Sequence, residues 1–274
     1  MKKILKSLIR FFGFEVSRSR KIKIAQDLVN GNRQGRTVKS KLLTYYETKS
    51  GNYFLPTDAV NDVIAKAIKN DKVFDIEIYE CASKYIKEDT VVLDVGSNFG
   101  QMSILFSDLV GKNGKVYAFD ADDFIFDVLN KNISANNKVG KIIPHFGAVY
   151  NVDNEILIFP EQDFERFDTY GSYGIDYSNN KSGRKVNSLT IDSLNIQEPI
   201  SFMKIDIQGG DLQAMQGAIK TIEKNKMPIL FEYEYVFEEE FSLSFQDYVD
   251  FVKSINYKFS KNINGQNYLI IPNN

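Results

Sequence analysis

Short apolar runs alternate with longer helical patterns from Val91 onward. They predict strands over residues 91–95, 115–120, 141–149, 201–207 and 228–234, with helices over residues 99–110, 124–136, 211–224 and 245–254. This order is typical of strand–helix–strand units and therefore of a mostly parallel sheet. Pro144 lacks a backbone N–H, so the third strand should lie at or near a sheet edge. The turn at Asn264-Gly265 predicts a C-terminal antiparallel hairpin over residues 257–272.

Two further short strands, over residues 155–159 and 184–189, flank a stretch rich in Gly, Ser, Tyr and Asn. This loop composition predicts a lid-like insert at about residues 160–185. We therefore expect an N-terminal basic and helical extension over residues 1–75. One α/β domain should follow over residues 76–274.

The first 23 residues carry eight Lys and Arg side chains against one acid, Glu15. Their apolar residues recur at helical spacing, namely Ile4, Leu5, Leu8, Ile9 and Phe12. A basic amphipathic helix of this kind either makes peripheral contact with an anionic membrane or packs on the main domain. Lys6 and Arg10 interrupt the apolar run that a secretory signal requires, and no apolar stretch approaches the ~18 residues of a membrane span.

The charge and the rare residues exclude several functional classes. With 34 Lys and Arg against 36 Asp and Glu, the net charge is −2, which disfavours nucleic acid as a partner. Cys81 alone allows no internal disulfide and no cysteine-based zinc site, and its isolation is typical of a cytoplasmic protein. His145 alone allows no multi-histidine metal site, and its place in the middle of a predicted strand favours a structural role.

The turn after the first strand, Gly96-Ser97-Asn98-Phe99-Gly100, favours a particular ligand. A dinucleotide-binding G-x-G-x-x-G loop would have glycine at Asn98 and Gln101, so a nicotinamide enzyme is disfavoured. Asp94 would repel a pyrophosphate and attract a cation, while Asp120, at the end of the second strand, is placed to bind two ribose hydroxyls. S-adenosylmethionine carries an ammonium, a sulfonium and two ribose hydroxyls but no phosphate. The alternative for both acids is helix capping and turn formation.

At this point the chain resembles the FkbM family of S-adenosylmethionine-dependent methyltransferases. Residues 91–100 are similar to the family's D-V-G-A-N-x-G motif, 116–120 to V-Y-A-F-E, 171–172 to G-S, 186–194 to V-x-x-x-T-L-D-S-L and 203–211 to K-I-D-V-E-G-x-E. Gln208 and Asp211 stand where the family pattern has Glu. The resemblance implies a class I methyltransferase fold, Rossmann-like with a seven-stranded, mostly parallel sheet. It also implies methyl transfer to a hydroxyl of a sugar or secondary metabolite, and here we expect a sugar, nucleotide-sugar or glycan precursor.

The fourth core strand should lie beside the first, so Asp94 and Asp206 are expected to open into one crevice. We predict that Asp206 is catalytic and accepts the proton of the attacking hydroxyl, the alternative being an N-cap of the next helix. A divalent metal held by Asp206, Asp211 and Glu232 is a less favoured route, and we assign no metal ligand. If the acceptor carries phosphates, Arg166, Arg184 or Lys204 would hold them.

The remaining predicted site residues fall into two groups. The expected cofactor-binding residues are Glu77, Asp94, Gly96, Ser97, Asn98, Gly100, Asp120, Ala121, Gly147 and Ala148. The expected substrate-binding residues are Ser172, Tyr173 and Gln208. Glu77 has a solvated helix face as its alternative, and Tyr170, Tyr173 and Tyr177 either pack on a sugar or are surface aromatics of a loop.

Three other functions compete with sugar O-methylation. Amino-group methylation of bases usually has an Asn/Asp-Pro-Pro-aromatic turn after the fourth strand, whereas Asp206-Ile207-Gln208-Gly209 contains no proline. A protein or another secondary metabolite stays open as acceptor. A non-catalytic module that binds the cofactor is the third alternative, although the acids at both strand ends disfavour it.

Overall fold

The structure is a computed structural model, and it describes residues 14–16, 22–25, 42–162, 169–176 and 182–273. The strands are β1 Phe14–Val16, β2 Ile22–Ala25, β3 Leu42–Thr48, β4 Gly51–Pro56, β5 Val91–Val95, β6 Lys115–Asp120, β7 Ile142–Phe146, β8 Ala148–Val149, β9 Ile156–Pro160, β10 Gly183–Leu189, β11 Ile200–Ile205, β12 Ile229–Glu232, β13 Tyr257–Ile263 and β14 Asn267–Pro272. The α-helices are α1 Val63–Lys69, α2 Ile76–Ala82, α3 Gln101–Leu109, α4 Asp123–Ala135, α5 Asp211–Gln216, α6 Ile219–Asn225, α7 Glu238–Phe241 and α8 Phe245–Ser254. Short 3₁₀ turns cover Tyr170–Ser172, Asp192–Leu194 and Tyr235–Phe237.

A seven-stranded sheet forms the centre, in the order β13-β14-β12-β11-β5-β6-β7. The strands from β12 to β7 run parallel, and β14 pairs antiparallel with both β12 and β13. The predicted class I methyltransferase fold, with its C-terminal antiparallel hairpin, is confirmed. Strand β7 lies at the sheet edge, as the missing N–H of Pro144 requires.

Two apolar clusters cover the two faces of this sheet. Along β5, Val92 belongs to one cluster and Leu93 to the other, because successive side chains of a strand point to opposite faces. Phe202 and Met203 divide in the same way along β11. Both faces are therefore buried, which fixes the register of the strands whose carboxyl ends form the site.

Two predicted elements are interrupted at glycines. The predicted strand over residues 141–149 breaks at Gly147, whose φ is +149°, and β8 leaves the central sheet to pair with β10. With β9 antiparallel to β10, this makes a small three-stranded sheet. The predicted helix over residues 211–224 divides into α5 and α6 at Gly217, where a Cβ would lie 1.9 Å from the carbonyl oxygen of Tyr150.

The expectation of a helical extension over residues 1–75 is wrong for the hairpin β3–β4, which belongs with β1 and β2 to a four-stranded antiparallel sheet. Leu43, Tyr53 and Leu55 are fully buried and join the main core. Runs of Leu, Tyr and Phe over residues 42–46 and 53–55, on either side of a turn at residues 49–50, explain why this segment forms strands. The boundary at residue 76 stays a prediction, and the amphipathic segment from Ile4 to Phe12 lies outside the described residues.

Side-chain amides of α4 hold this hairpin against the domain. Asn132 accepts a hydrogen bond from Phe54 N at 2.6 Å, and its Nδ2 donates to Phe99 O at 2.8 Å. Asn136 exchanges two hydrogen bonds with the backbone of Asn52, at 2.8 and 2.7 Å. The edge of β4 is thus paired without another strand, and the loop that leads into α3 is attached to it. No helix in the described ranges has the length and hydropathy needed to cross a bilayer.

Candidate functional site

A cavity of about 320 Å³ opens where β5, β6, β11 and β12 end. The carboxyl ends of parallel strands meet at one edge of such a sheet, and ligands bind where the strand order reverses. Here β5 is the reversal point, with β6 on one side and β11 on the other. The segment from Thr169 to Ile175 lines the cavity from the lid-like insert, and the β13–β14 turn lines its far end.

The glycine turn lies tightly against the neighbouring strand end. A Cβ on Gly96 would lie 1.9 Å from the carbonyl oxygen of Asp206, and the φ of Gly96 is +82°. No other residue allows the two loops to approach this closely. Gly96, Ser97 and Asn98 line the cavity, whereas Gly100 lies outside it as the N-cap residue of α3.

Asp120 joins the loops that follow β5 and β6. Its carboxylate accepts hydrogen bonds from Asn98 N and Asp122 N, both at 2.9 Å, and it still lines the cavity. Burial, followed by the charge of Asp122, raises the pKa of Asp120 to about 7. Helix capping falls instead to Asp122, which accepts from Phe124 N and Ile125 N. Asp120 therefore stabilises the two turns, as one alternative interpretation predicted, but it does not cap a helix.

The structure places Asp94 beneath the cavity and not at its wall. Its side chain is fully buried and accepts a hydrogen bond from Ser103 Oγ at 2.5 Å. Lys204 Nζ lies 3.7 Å from the other carboxylate oxygen. Burial raises the pKa of Asp94 against the opposing effect of Lys204. Asp94 neither caps α3 nor contacts the cavity, so its charge acts on Lys204.

Asp206 lies at the centre of a charged group on the acceptor side of the cavity. Lys204 Nζ lies 3.3 Å from its carboxylate, and Gln208 Nε2 donates to Asp206 at 3.3 Å and to Glu232 at 3.0 Å. Burial opposes ionisation of Asp206, but Lys204 and the hydrogen bonds of Glu232 and Gln208 outweigh it and lower the pKa. Burial and the charge of Asp206 raise the pKa of Glu232 to about 10. At neutral pH, Asp206 is ionised and Glu232 is protonated.

Two other roles were considered for these acids, the N-cap of the next helix for Asp206 and the binding of a divalent metal. Neither matches the geometry. Helix α5 begins at Asp211 with Gly210 as its N-cap residue, so Asp206 caps nothing. Asp211 is fully buried and accepts from Glu232 N at 3.2 Å. Within the described part of the chain, no three His, Cys, Asp or Glu side chains form a group that could hold a metal ion.

The structure brings Asp75 to the cavity in place of Glu77. Glu77 is exposed on α2 and does not line the cavity, whereas Asp75, just before α2, does. Burial, followed by the charge of Asp206, raises the pKa of Asp75 to about 6. The sequence places both acids in the segment before β5. The direction of α2 decides which of the two reaches the cavity.

The described part of the insert is anchored to α1. Thr169 Oγ1 and Tyr170 N donate to Asp62 at 3.0 and 2.9 Å, and Asp62 also caps α1 through Ala65 N. The ring of Tyr170 packs edge-on against Phe99, with 6.1 Å between centroids. Ser172, Tyr173 and Gln208 line the cavity together, as do Ala121, Gly147 and Ala148. Tyr177 lies outside the described residues.

Two of the three basic residues considered for phosphate binding are used elsewhere. Arg184 donates to Ala121 O at 3.0 Å and pairs with Asp123, and Lys204 is held by Asp94 and Asp206. Arg166 lies outside the described residues. His145 stacks on Tyr117 and Phe119, with centroids 5.4 and 5.0 Å apart, and does not line the cavity.

Several residues of the far wall were not expected from the sequence. They are Glu234, Asn264, Gln266 and Asn267. They follow β12 or belong to the β13–β14 hairpin, and their approach to the cavity depends on how the hairpin pairs with β12. The predicted turn at Asn264-Gly265 was the available signal, but it did not indicate which end of the sheet the turn would reach.

The comparisons with known proteins concern the same part of the chain. Residues 94–259 match the family model described as the methyltransferase FkbM domain. No curated protein matches the chain by sequence. Among solved structures, the methyltransferase FkbM from Methylobacillus flagellatus KT is similar at 16% identity and a TM-score of 0.45. That similarity covers 67% of this chain and spans only 43% of the other protein.

Two further structures are similar over a larger share of their own length. An O-methyltransferase from Bacillus cereus, in complex with SAH, has 12% identity and a TM-score of 0.42, covering 71% of this chain and 77% of that one. Fibrillarin from Aeropyrum pernix, with bound S-adenosyl-L-methionine, has 10% identity and a TM-score of 0.39, covering 91% and 87%.

Proposed function

Because the chain belongs to the FkbM family of methyltransferases, we propose that it transfers a methyl group from S-adenosylmethionine to a hydroxyl group of a sugar or glycan precursor. The observation that carries the proposal is the division of the cavity. One side is formed by the glycine turn and Asp120, and the other by Asp206, with Lys204 holding Asp206 ionised.

The residues of the first side fit the cofactor. Asp120 keeps lone pairs for ribose hydroxyls after accepting two backbone N–H groups, since a carboxylate offers about four acceptor sites. The carboxylates of Asp75 and Asp206 face the same cavity and favour a positively charged ligand. No Lys or Arg that lines the described cavity wall is free to bind a pyrophosphate, because Lys204 is paired twice.

The residues of the second side fit the acceptor chemistry. When bound, S-adenosylmethionine supplies a methyl group on a positively charged sulfur. Asp206 orients the acceptor hydroxyl and accepts its proton as the oxygen bonds to the methyl carbon, and the S–CH₃ bond that breaks would release S-adenosylhomocysteine. Because the pKa of Asp206 is lowered, it is a weak base, and proton transfer comes late in the reaction. Most of the rate then derives from holding the hydroxyl oxygen in line.

The variant Asp206→Asn tests this assignment. We expect methyl transfer to fall by about 10² to 10⁴-fold, the usual contribution of a positioned proton acceptor. Affinity for S-adenosylhomocysteine, measured by calorimetry, should change little, because this probe lacks the sulfonium charge and Asp75, Asp120 and the glycine turn are intact. The matched control is Asp250→Asn, which removes a carboxylate from the exposed face of α8. Products are measured by mass spectrometry on a panel of sugars and nucleotide-activated sugars.

Two results would contradict the proposal. If S-adenosylhomocysteine does not bind the unaltered protein, the cofactor assignment fails. If Asp206→Asn methylates the panel as fast as Asp250→Asn does, Asp206 is not part of the mechanism.

A further inference from the structure

An unpartnered polar atom lies at the hairpin end of the cavity. Asn267 is 3% exposed and lines the cavity. It pairs with Glu232 across β12 and β14, so the two side chains lie on the same face. Its Nδ2 donates to Asn264 Oδ1 at 3.2 Å, but its Oδ1 has no hydrogen-bond partner within the described ranges. A buried acceptor is stabilised when a ligand brings it a donor.

The charges around this atom specify the kind of donor. Glu232, Glu234 and Asp206 line the same end of the cavity, and Glu234 accepts from Gln266 Nε2 at 2.9 Å. Asp206 and Glu234 carry acceptor oxygens at this end of the cavity, whereas the protonated carboxyl of Glu232 donates to Asp206. Glu232 is protonated at neutral pH, and the ammonium of Lys204 contacts Asp94, Asp206 and the carbonyl of Gly96, so the carboxylate of Glu234 has no cationic partner among the described lining residues.

Resting on the proposed function, we propose that the acceptor is an amino sugar without phosphate, whose ammonium group binds Asn267 Oδ1 and the carboxylate of Glu234. An ammonium has three donors and no acceptor, and this wall offers acceptors and negative charge. A neutral hydroxyl would satisfy Asn267 alone. A phosphate would meet carboxylates with no unpaired cation among the described lining residues.

The test measures binding of sugars to the full chain saturated with S-adenosylhomocysteine. The probes are glucosamine, galactosamine and mannosamine, each against its neutral parent sugar, with glucosamine 6-phosphate added. We expect at least one amino sugar to bind about tenfold or more tightly than its parent sugar. This ratio is the lower end of what a charge-assisted hydrogen bond contributes to affinity. Glucosamine 6-phosphate should bind more weakly than glucosamine.

The variants Glu234→Gln and Asn267→Leu should remove the preference for amino sugars. Glu234 is only half-buried, so Glu234→Gln gives a folded variant even where Asn267→Leu does not. The matched control is Glu239→Gln on α7, which is exposed and outside the cavity and should keep the preference.

Failure of this inference differs from failure of the proposed function. If S-adenosylhomocysteine binds but the amino sugars bind no better than the neutral sugars, or do not bind at all, the inference is overturned and the methyltransferase assignment stands. If Glu234→Gln keeps the full preference, the assigned ammonium site is wrong. If S-adenosylhomocysteine itself does not bind, both proposals fail together.

Discussion

Replacing Lys204 by Met should destabilise the protein strongly, because Lys204 links the site to the buried sheet. Lys204 is 4% exposed, and its ammonium lies 3.0 Å from Gly96 O, 3.3 Å from Asp206 and 3.7 Å from Asp94. Without it, Asp94 keeps only the hydrogen bond of Ser103. Breaking a buried ion pair in this way costs about 3–5 kcal/mol. That is a large part of the ~5–15 kcal/mol that stabilises a typical domain.

The loss should also depend on pH. Burial already raises the pKa of Asp94 while Lys204 opposes the shift, so removing Lys204 raises it further. A carboxyl whose pKa is higher in the folded state than in the unfolded state binds more protons when folded. Stability therefore falls as pH rises from the unfolded-state pKa of about 3.9 through the folded-state pKa.

Urea unfolding of Lys204→Met, followed by circular dichroism at pH 5 and pH 8, measures both effects. We expect the larger loss at pH 8, and recovery of most of it in the double variant Asp94→Asn/Lys204→Met. The control Lys253→Met removes an exposed lysine 4.0 Å from Asp250 and should cost less than about 1 kcal/mol. A loss in Lys204→Met no larger than in this control, or equal at the two pH values, would refute the reasoning.

Two further predictions concern the cofactor side. Gly96→Ala should lower the melting temperature and the affinity for S-adenosylhomocysteine, because its Cβ would overlap Asp206 O. Gly140→Ala is the control, since its φ of +79° is similar but nothing lies within 4 Å; equal effects would exclude the overlap. Because the pKa of Asp120 is raised to about 7, binding of S-adenosylhomocysteine at pH 6 should release up to about one proton, with affinity falling as pH drops. Calorimetry in two buffers of different ionisation enthalpy measures the release, which Asp120→Asn should reduce to what Asp75, with a pKa of about 6, contributes.

The parallel core could be predicted from the sequence because its signals are local. Strands β5, β6, β11 and β12 are apolar runs bounded by turn residues, and Pro144 marks the sheet edge without reference to any other segment. The hairpin β3–β4 departs from the predicted helical extension, because the basic, helically spaced pattern of the first 23 residues does not continue to residue 75. The contrary signal lies in the Leu, Tyr and Phe residues over 42–46 and 53–55, which are typical of strands.

Site residues could be predicted only where the position of a residue on its strand determines which way its side chain points. Asp120 and Gly96 lie at strand ends and line the cavity as expected. Asn267 could not be predicted, because it meets the cavity through the antiparallel pairing of β14 with β12. Choosing Asp75 over Glu77 depends on the angle at which α2 leaves its loop, which no local pattern reports.

Asp94 and Asp206 show how strand position separates two acids that the sequence treats alike. Asp94 is still within β5 and is in register with Lys204 of β11, so both side chains point to the same buried face. Asp206 follows the last residue of β11 and reaches the cavity. The ammonium of Lys204 lies between the two carboxylates, and buried Asp94 keeps it there. Asp206 is thereby held ionised and fixed in place, which suits a reaction whose rate depends on the alignment of the acceptor more than on the strength of the base.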